Sequence, residues 1–266
     1  MGKLKEHLSK KIPDWRYNYR QLLDEKGDQV TSTVTINTAY SGMKGVKGMI
    51  CDTSSVTADA GLHVRGKHIL DLVDLKPEEI LYLLLIGELP NEEELLDLQH
   101  ELKERSVVPD YVWKVLSGMP KDSHPMAMFN TAILSMQKES KFAEAYDLVV
   151  SKGDYWESTL EDGLNIIAKL PAIGAAVYRL RFEKGDRLAA GDTVDWSENF
   201  LQMMGLDYSN DMLKMMQLYL MLHCDHEGGN VSTFSALTVN SALSDPYYSL
   251  SAGLNSLQSP PSDACT

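Results

Sequence analysis

Polar and apolar positions alternate with a helical period over most of this chain. The segment 1–27 reads as a charged amphipathic helix, broken at Pro13 and closed near Gly27. A different pattern follows. Gln29–Tyr40, QVTSTVTINTAY, puts Val30, Val34 and Ile36 on one face and Thr31, Thr33 and Thr35 on the other, which predicts a half-buried strand. Val46–Ser54 is its expected partner, across the glycine-punctuated SGMKG turn. Beyond about residue 70 the pattern becomes helix after helix. KPEEILYLLLIGELP has Pro77 in a first turn and Gly87 near the stop, and NEEELLDLQHELKERS opens on an asparagine cap. Further helices are expected in 123–140, in 155–182 with a kink at Pro171, and in WSENFLQMMG. SNDMLKMMQLYLMLHCDHEGG, NVSTFSALTVNSALSDP and YYSLSAGLNSL complete the series. No fixed-period repeat argues for a solenoid. The fold class is mainly α, with a small N-terminal β element.

Composition narrows the function classes. The 266 residues carry a formal net charge of −13, which argues against nonspecific nucleic-acid binding. Cys51, Cys224 and Cys265 are odd in number and far apart, so a disulfide framework is not expected. The first twenty residues are basic but lack the apolar core of a signal peptide, and the longest apolar runs are too short to span a bilayer. A soluble cytoplasmic protein is the expectation, or a mitochondrial matrix protein if a transit peptide has been removed from a eukaryotic precursor. The methionines between Met203 and Met221 read as deformable packing between helices.

One segment concentrates chemistry: His223–Asn230, HCDHEGGN. His223 and His226 share a helical face if the helix from Asn210 runs through them, which with Asp225 and Cys224 nearby raises a metal reading. No H-E-x-x-H pattern is present, and Asp225 and Cys224 fall to the side of that face. The paired glycines suggest instead a helix stop where backbone can approach a ligand. Asn230 then begins a new helix whose N-terminal amides could receive a carboxylate beside an imidazole. A capped corner between helices, with a satisfied histidine, is the third account.

The stretch LHCDHEGGNVSTFSALTVNSALSDPYYSLSAGLNSL resembles citrate synthase, most closely its eukaryote-type branch. AYSGMKGVKGMICDTS, LHVRG, LLLIGELPNEEE, HPMAMFNTAI, DYWESTLEDGLNIIAKLPAIGAAVYR and VDWSENFLQMMG carry the likeness over about residues 29–257. The resemblance implies the multihelical large domain of a dimeric acyltransferase of the tricarboxylic acid cycle. That enzyme condenses acetyl-CoA with oxaloacetate and water, and it needs no metal or other cofactor. By the same resemblance His226 and the Asn230 backbone bind oxaloacetate, His223 is structural, and Lys44 and Lys152 stand where the family often has arginines near the coenzyme A phosphates. Residues 1–28 are an N-terminal helical extension and 258–266 a non-matching tail.

In that tail Ser262 stands where the family's enol-stabilising histidine is expected, and the family's small domain, ketone-polarising histidine and catalytic aspartate are not found in the chain. A shifted or interrupted reading frame after Leu257, or an assembly or gene-model artefact, is therefore expected, and with it a catalytically incomplete chain of marginal solubility. The alternatives are a 2-methylcitrate synthase, a non-catalytic dimerisation partner of a full-length enzyme, and a metal-dependent helical enzyme built on His223, Asp225 and His226.

Overall fold

The computed structural model describes residues 2–42, 45–228 and 230–257. Within them lie twelve α-helices and a small antiparallel sheet. The chain opens with α1 (Lys3–Lys26) and the short α2 (Ile36–Tyr40), then forms β1 (Ser54–Thr57), β2 (Gly61–Val64) and β3 (Lys67–His68). The sheet order is β1-β2-β3, with Ser54 opposite Val64 and His63 opposite His68. Next come α3 (Pro77–Ile86), α4 (Glu92–Arg105), α5 (Asp110–Ser117), α6 (Pro125–Ser135) and α7 (Lys141–Asp147). The remaining helices are α8 (Tyr155–Arg181), α9 (Trp196–Met204), α10 (Asn210–Leu222), α11 (Val231–Ser241) and α12 (Pro246–Ser256).

The helix boundaries have local causes. Asn91 and Glu94 exchange hydrogen bonds across the first turn of α4, and Gly87 ends α3 in the left-handed region at φ 84°. Asp195 accepts from Glu198 N–H to start α9. The 27-residue α8 is about 40 Å long at the standard rise, and it forms the spine of the fold.

Three apolar cores form around these helices. One packs Val112, Leu116, Met128, Ile133, Ile173 and Tyr247 from α5, α6, α8 and α12. Another joins Leu4 and Leu8 of α1 to Tyr82, Leu98, Leu160 and Leu164. The third sets Met221 of α10 against Val64, Leu72, Ile80 and Leu83.

Several sequence expectations are corrected here. The β element lies at 54–68, not in the strand expected over Gln29–Tyr40. That segment is irregular up to α2, with Val30, Val34 and Ile36 exposed. Period-two alternation specifies a strand only when one face has something to bury against, and those side chains find no such surface among the described residues. Helix α1 continues through Pro13, because Leu4, Leu8, Ile12 and Trp15 hold one apolar face against the core on either side of it. Helices α5 and α7 were not anticipated; both are short and flank longer periodic segments.

Candidate functional site

Helix α10 ends at Leu222, with His223 as its C-cap residue, so His223 and His226 do not share a helical face. His223 Nδ1 lies 2.6 Å from the Tyr219 carbonyl, which makes it the protonated nitrogen, and the ring packs on Tyr219 at 4.3 Å between centroids. The next side chain also turns back onto the helix. Cys224 Sγ donates to the Leu220 carbonyl at 3.3 Å. Although the residue is exposed, desolvation of its sulfur, with Glu78 and Asp225 adding to it, pushes that thiol up to about 12, so it stays uncharged at neutral pH.

The chain then crosses to the sheet. Glu227 N–H donates to Ser54 Oγ at 2.6 Å, with Glu227 itself in the left-handed region at φ 50°. A Cβ at Gly228 would sit 3.2 Å from Cys51 Cβ, so this glycine lets the loop lie close on the irregular segment leading into β1. His226 is thereby presented to solvent between a pinned loop and a helix start. Asn230 caps α11, its Oδ1 accepting from Thr233 N–H at 2.8 Å and Ser232 Oγ at 2.5 Å. The side chain of Asn230 is spent on the helix, which leaves main-chain amides of the first turn as the polar groups on offer. Helix α11 is fixed from behind. A Cβ on Gly253 of α12 would come 3.1 Å from the Ser232 carbonyl oxygen, so a larger residue there would push the two helices apart by a few tenths of an ångström.

Among the described residues no three His, Cys, Asp or Glu side chains converge in a way that could hold a metal ion. The other expected site residues are scattered. Lys152 is exposed in the turn before α8, where Arg16 contacts the Gly153 carbonyl, and no hydrogen bond or ion pair among the described residues joins it to 223–230. Lys44 and Ser262 lie outside the described residues. A cavity of about 490 Å³ opens elsewhere, between α8, α9 and the 187–194 loop, with Trp113 and Arg187 at its edge; it includes nothing from 223–230.

Sequence reasoning missed Ser54 under this loop, Gly253 behind α11, and the buried acids Glu78 and Asp195 between α3, α9 and α10. Asp195 binds α10 through Gln217 at 2.9 Å and α3 through Lys76 at 2.9 Å. Nothing local distinguishes Glu78 from its neighbour Glu79, since both read as first-turn acids of α3.

The family described as "Citrate synthase, C-terminal domain" matches residues 42–263. The chain belongs to the citrate synthase family. It is 38% identical to the mitochondrial citrate synthase of Saccharomyces cerevisiae, over 97% of this chain and 56% of that protein. It is 37% identical to the mitochondrial 2-methylcitrate synthase of Yarrowia lipolytica, over 97% of this chain and 58% of that protein. Among solved structures, citrate synthase from Pyrobaculum aerophilum superposes with a TM-score of 0.77 at 28% identity, covering 87% of this chain and 59% of that one. The chain thus spans little more than half the length of the citrate synthase relatives it matches. Relatives named for it are mitochondrial or peroxisomal. No helix among the described residues is long and apolar enough to cross a membrane.

Proposed function

We propose that this chain is the oxaloacetate-gripping part of a citrate synthase, which condenses acetyl-CoA with oxaloacetate and water to give citrate and CoA. What supports the reading is that an exposed imidazole, His226, stands just before the Asn230-capped N-terminus of α11, in a loop pinned through the Glu227 amide rather than through the histidine. An imidazole N–H and the first amides of a helix suit a small dicarboxylate, and no cofactor is needed for that grip. His226 and the Asn230 main chain hold the keto acid, while Lys44 and Lys152 serve the coenzyme A phosphates. Residues 29–257 are proposed to belong to the large helical domain, with residues 1–28 extending it.

The family reaction also needs a carboxylate to take a proton from the acetyl group and a histidine to stabilise the enolate. The resemblance places neither role on a residue of this chain, so the contribution proposed for these 266 residues is to hold oxaloacetate. A homodimer is the assembly proposed, supported by the exposed Val231, Phe234, Leu237 and Tyr248 on α11 and α12. The compartment proposed is the cytoplasm, or the mitochondrial matrix after loss of a leader. The 37% identity to the Yarrowia enzyme favours a second reading, a 2-methylcitrate synthase taking propionyl-CoA at the same site.

Titration calorimetry with oxaloacetate tests the grip. Binding by the chain, lost in His226→Ala and kept in His223→Ala, is the expected result; equal binding in His226→Ala overturns the reading. Release of thiol from acetyl-CoA, dependent on oxaloacetate and catalysed by this polypeptide alone, would overturn the assignment of the proton-transfer groups.

A further inference from the structure

We infer that Glu78 is held as a neutral carboxylic acid, a proton-carrying latch that positions the start of α9 against α3 and α4, beside the residues leading into the His226 loop. The inference is independent of the reaction proposed above. Glu78 is 3% exposed. Its two oxygens are used unequally: Oε1 accepts from Gln99 Nε2 and from Trp196 N–H, each at 3.0 Å, while Oε2 has no hydrogen-bond partner among the described residues. Oε2 has neither a donor nor an acceptor, and an unpaired neutral hydroxyl there costs less than an unpaired share of a negative charge. A carboxylate, whose oxygens are equivalent, would leave half its charge buried without a donor.

The charged neighbours point the same way. From α3, Glu79 is spent on Lys76 N–H at 2.8 Å, and the Lys76 ammonium is committed to Asp195 Oδ2 at 2.9 Å. From the start of α9, the buried carboxylate of Asp195 repels a second negative charge. Helix α10 contributes the neutral Gln217 to Asp195, α4 contributes the neutral Gln99, and the segment after α10 contributes the uncharged Cys224 thiol with Asp225 beyond it. Lys76 is the cation that also feels Glu78, but its ammonium pairs with Asp195, and no hydrogen bond or ion pair among the described residues joins it to Glu78. Burial first, and then Asp195, raises its affinity for the proton above that of an ordinary glutamate. The sign follows: the stability carried by the neutral latch is complete at low pH and is lost as pH rises through the raised value.

Infrared spectroscopy of the whole chain tests this. Carbon-13 labelling of glutamate separates Glu78 from buried aspartates such as Asp162, and a titration from about pH 5 to about pH 9 follows the protonated-carboxyl carbonyl band. The expected result is a glutamate band at neutral pH that fades as pH rises and is missing in Glu78→Gln. In Asp195→Asn the like charge is removed and Lys76 is released, so the band fades at lower pH than in the unaltered chain. Amide exchange of residues 196–199 is expected to speed up with pH beyond its intrinsic rate in the unaltered chain, and not in Glu78→Gln. The absence of a labelled band at neutral pH in the unaltered chain overturns the inference whether or not either variant folds. An Asp195→Asn midpoint equal to that of the unaltered chain does the same.

Discussion

Asp162 of α8 caps a different helix: it accepts from Ser140 Oγ at 2.7 Å, from Lys141 N–H at 2.6 Å and from Phe142 N–H at 3.0 Å at the start of α7. Ser140 and Asp162 are both buried, so α7 is tied to the spine by a polar joint inside the core. Removing the carboxylate strands three donors. Asp162→Ala is therefore expected to cost about 3 kcal/mol of unfolding free energy, measured by urea denaturation. A loss below about 1 kcal/mol would show that water replaces the joint.

Helix α1 is part of the core. Leu4 is 1% exposed and Leu8 5%, and both pack with Tyr82, Ile86 and Leu98. Leu8→Ala is expected to cost about 3 kcal/mol through the cavity it leaves. Leu22→Ala, at an exposed position of the same helix, should change stability by less than about 0.5 kcal/mol. Similar losses for the two would mean that α1 is not docked as described.

Acid should loosen the seam between α1, α4 and α8. Burial works against ionisation of Glu161, but Arg105 at 2.7 Å and Lys5 at 3.5 Å outweigh it and hold the carboxyl below its ordinary value of 4.5. A lowered folded value means that the stabilisation is complete above the ordinary value and lost as pH falls through the lowered one. Glu161→Gln is expected to cost about 1 kcal/mol at neutral pH and to flatten part of the acid limb of the stability curve. An unchanged acid limb would assign the slope to other carboxylates.

His223 and His226 should separate cleanly. The His223 ring is bonded to its own helix end, so His223→Ala is expected to cost about 1 kcal/mol of stability and little substrate affinity. His226 is exposed and should show the reverse, with stability changed by less than about 0.5 kcal/mol. Thermal melts and calorimetry on the two variants decide it; a stability loss confined to His226→Ala would exchange their roles.

Long periodic helices were legible because their signals are local. The Asn91–Glu94 capping box, Gly87 and the apolar faces of α4 and α9 need nothing beyond their own residues to be read. The Gln29–Tyr40 strand was misread because alternation states what a strand would bury, not whether a surface is there to bury it. The site was legible as a composition, HCDHEGGN, and its helix-capping asparagine could be seen in advance. Its geometry was not, because the loop is set by residues distant in sequence: Ser54 is 173 positions from Glu227. Glu78 was invisible for the same reason, since its burial is created by Gln99 and Trp196.

The Ser54–Glu227 bond therefore makes the sharpest test of the site. Ser54 is 7% exposed, and its hydroxyl is the acceptor for the Glu227 amide. Ser54→Ala leaves that amide without a partner while His226 and Asn230 keep their identities. The expected cost to global stability is about 1–2 kcal/mol, together with loss of exchange protection at the Glu227 amide. If the loop must be pinned for its imidazole to meet the amides of α11, oxaloacetate affinity should fall as well. Ser54→Thr keeps the oxygen and should restore much of both effects. Affinity unchanged in Ser54→Ala, with the Glu227 amide exchanging freely, would mean that His226 does not depend on this anchor to reach its ligand.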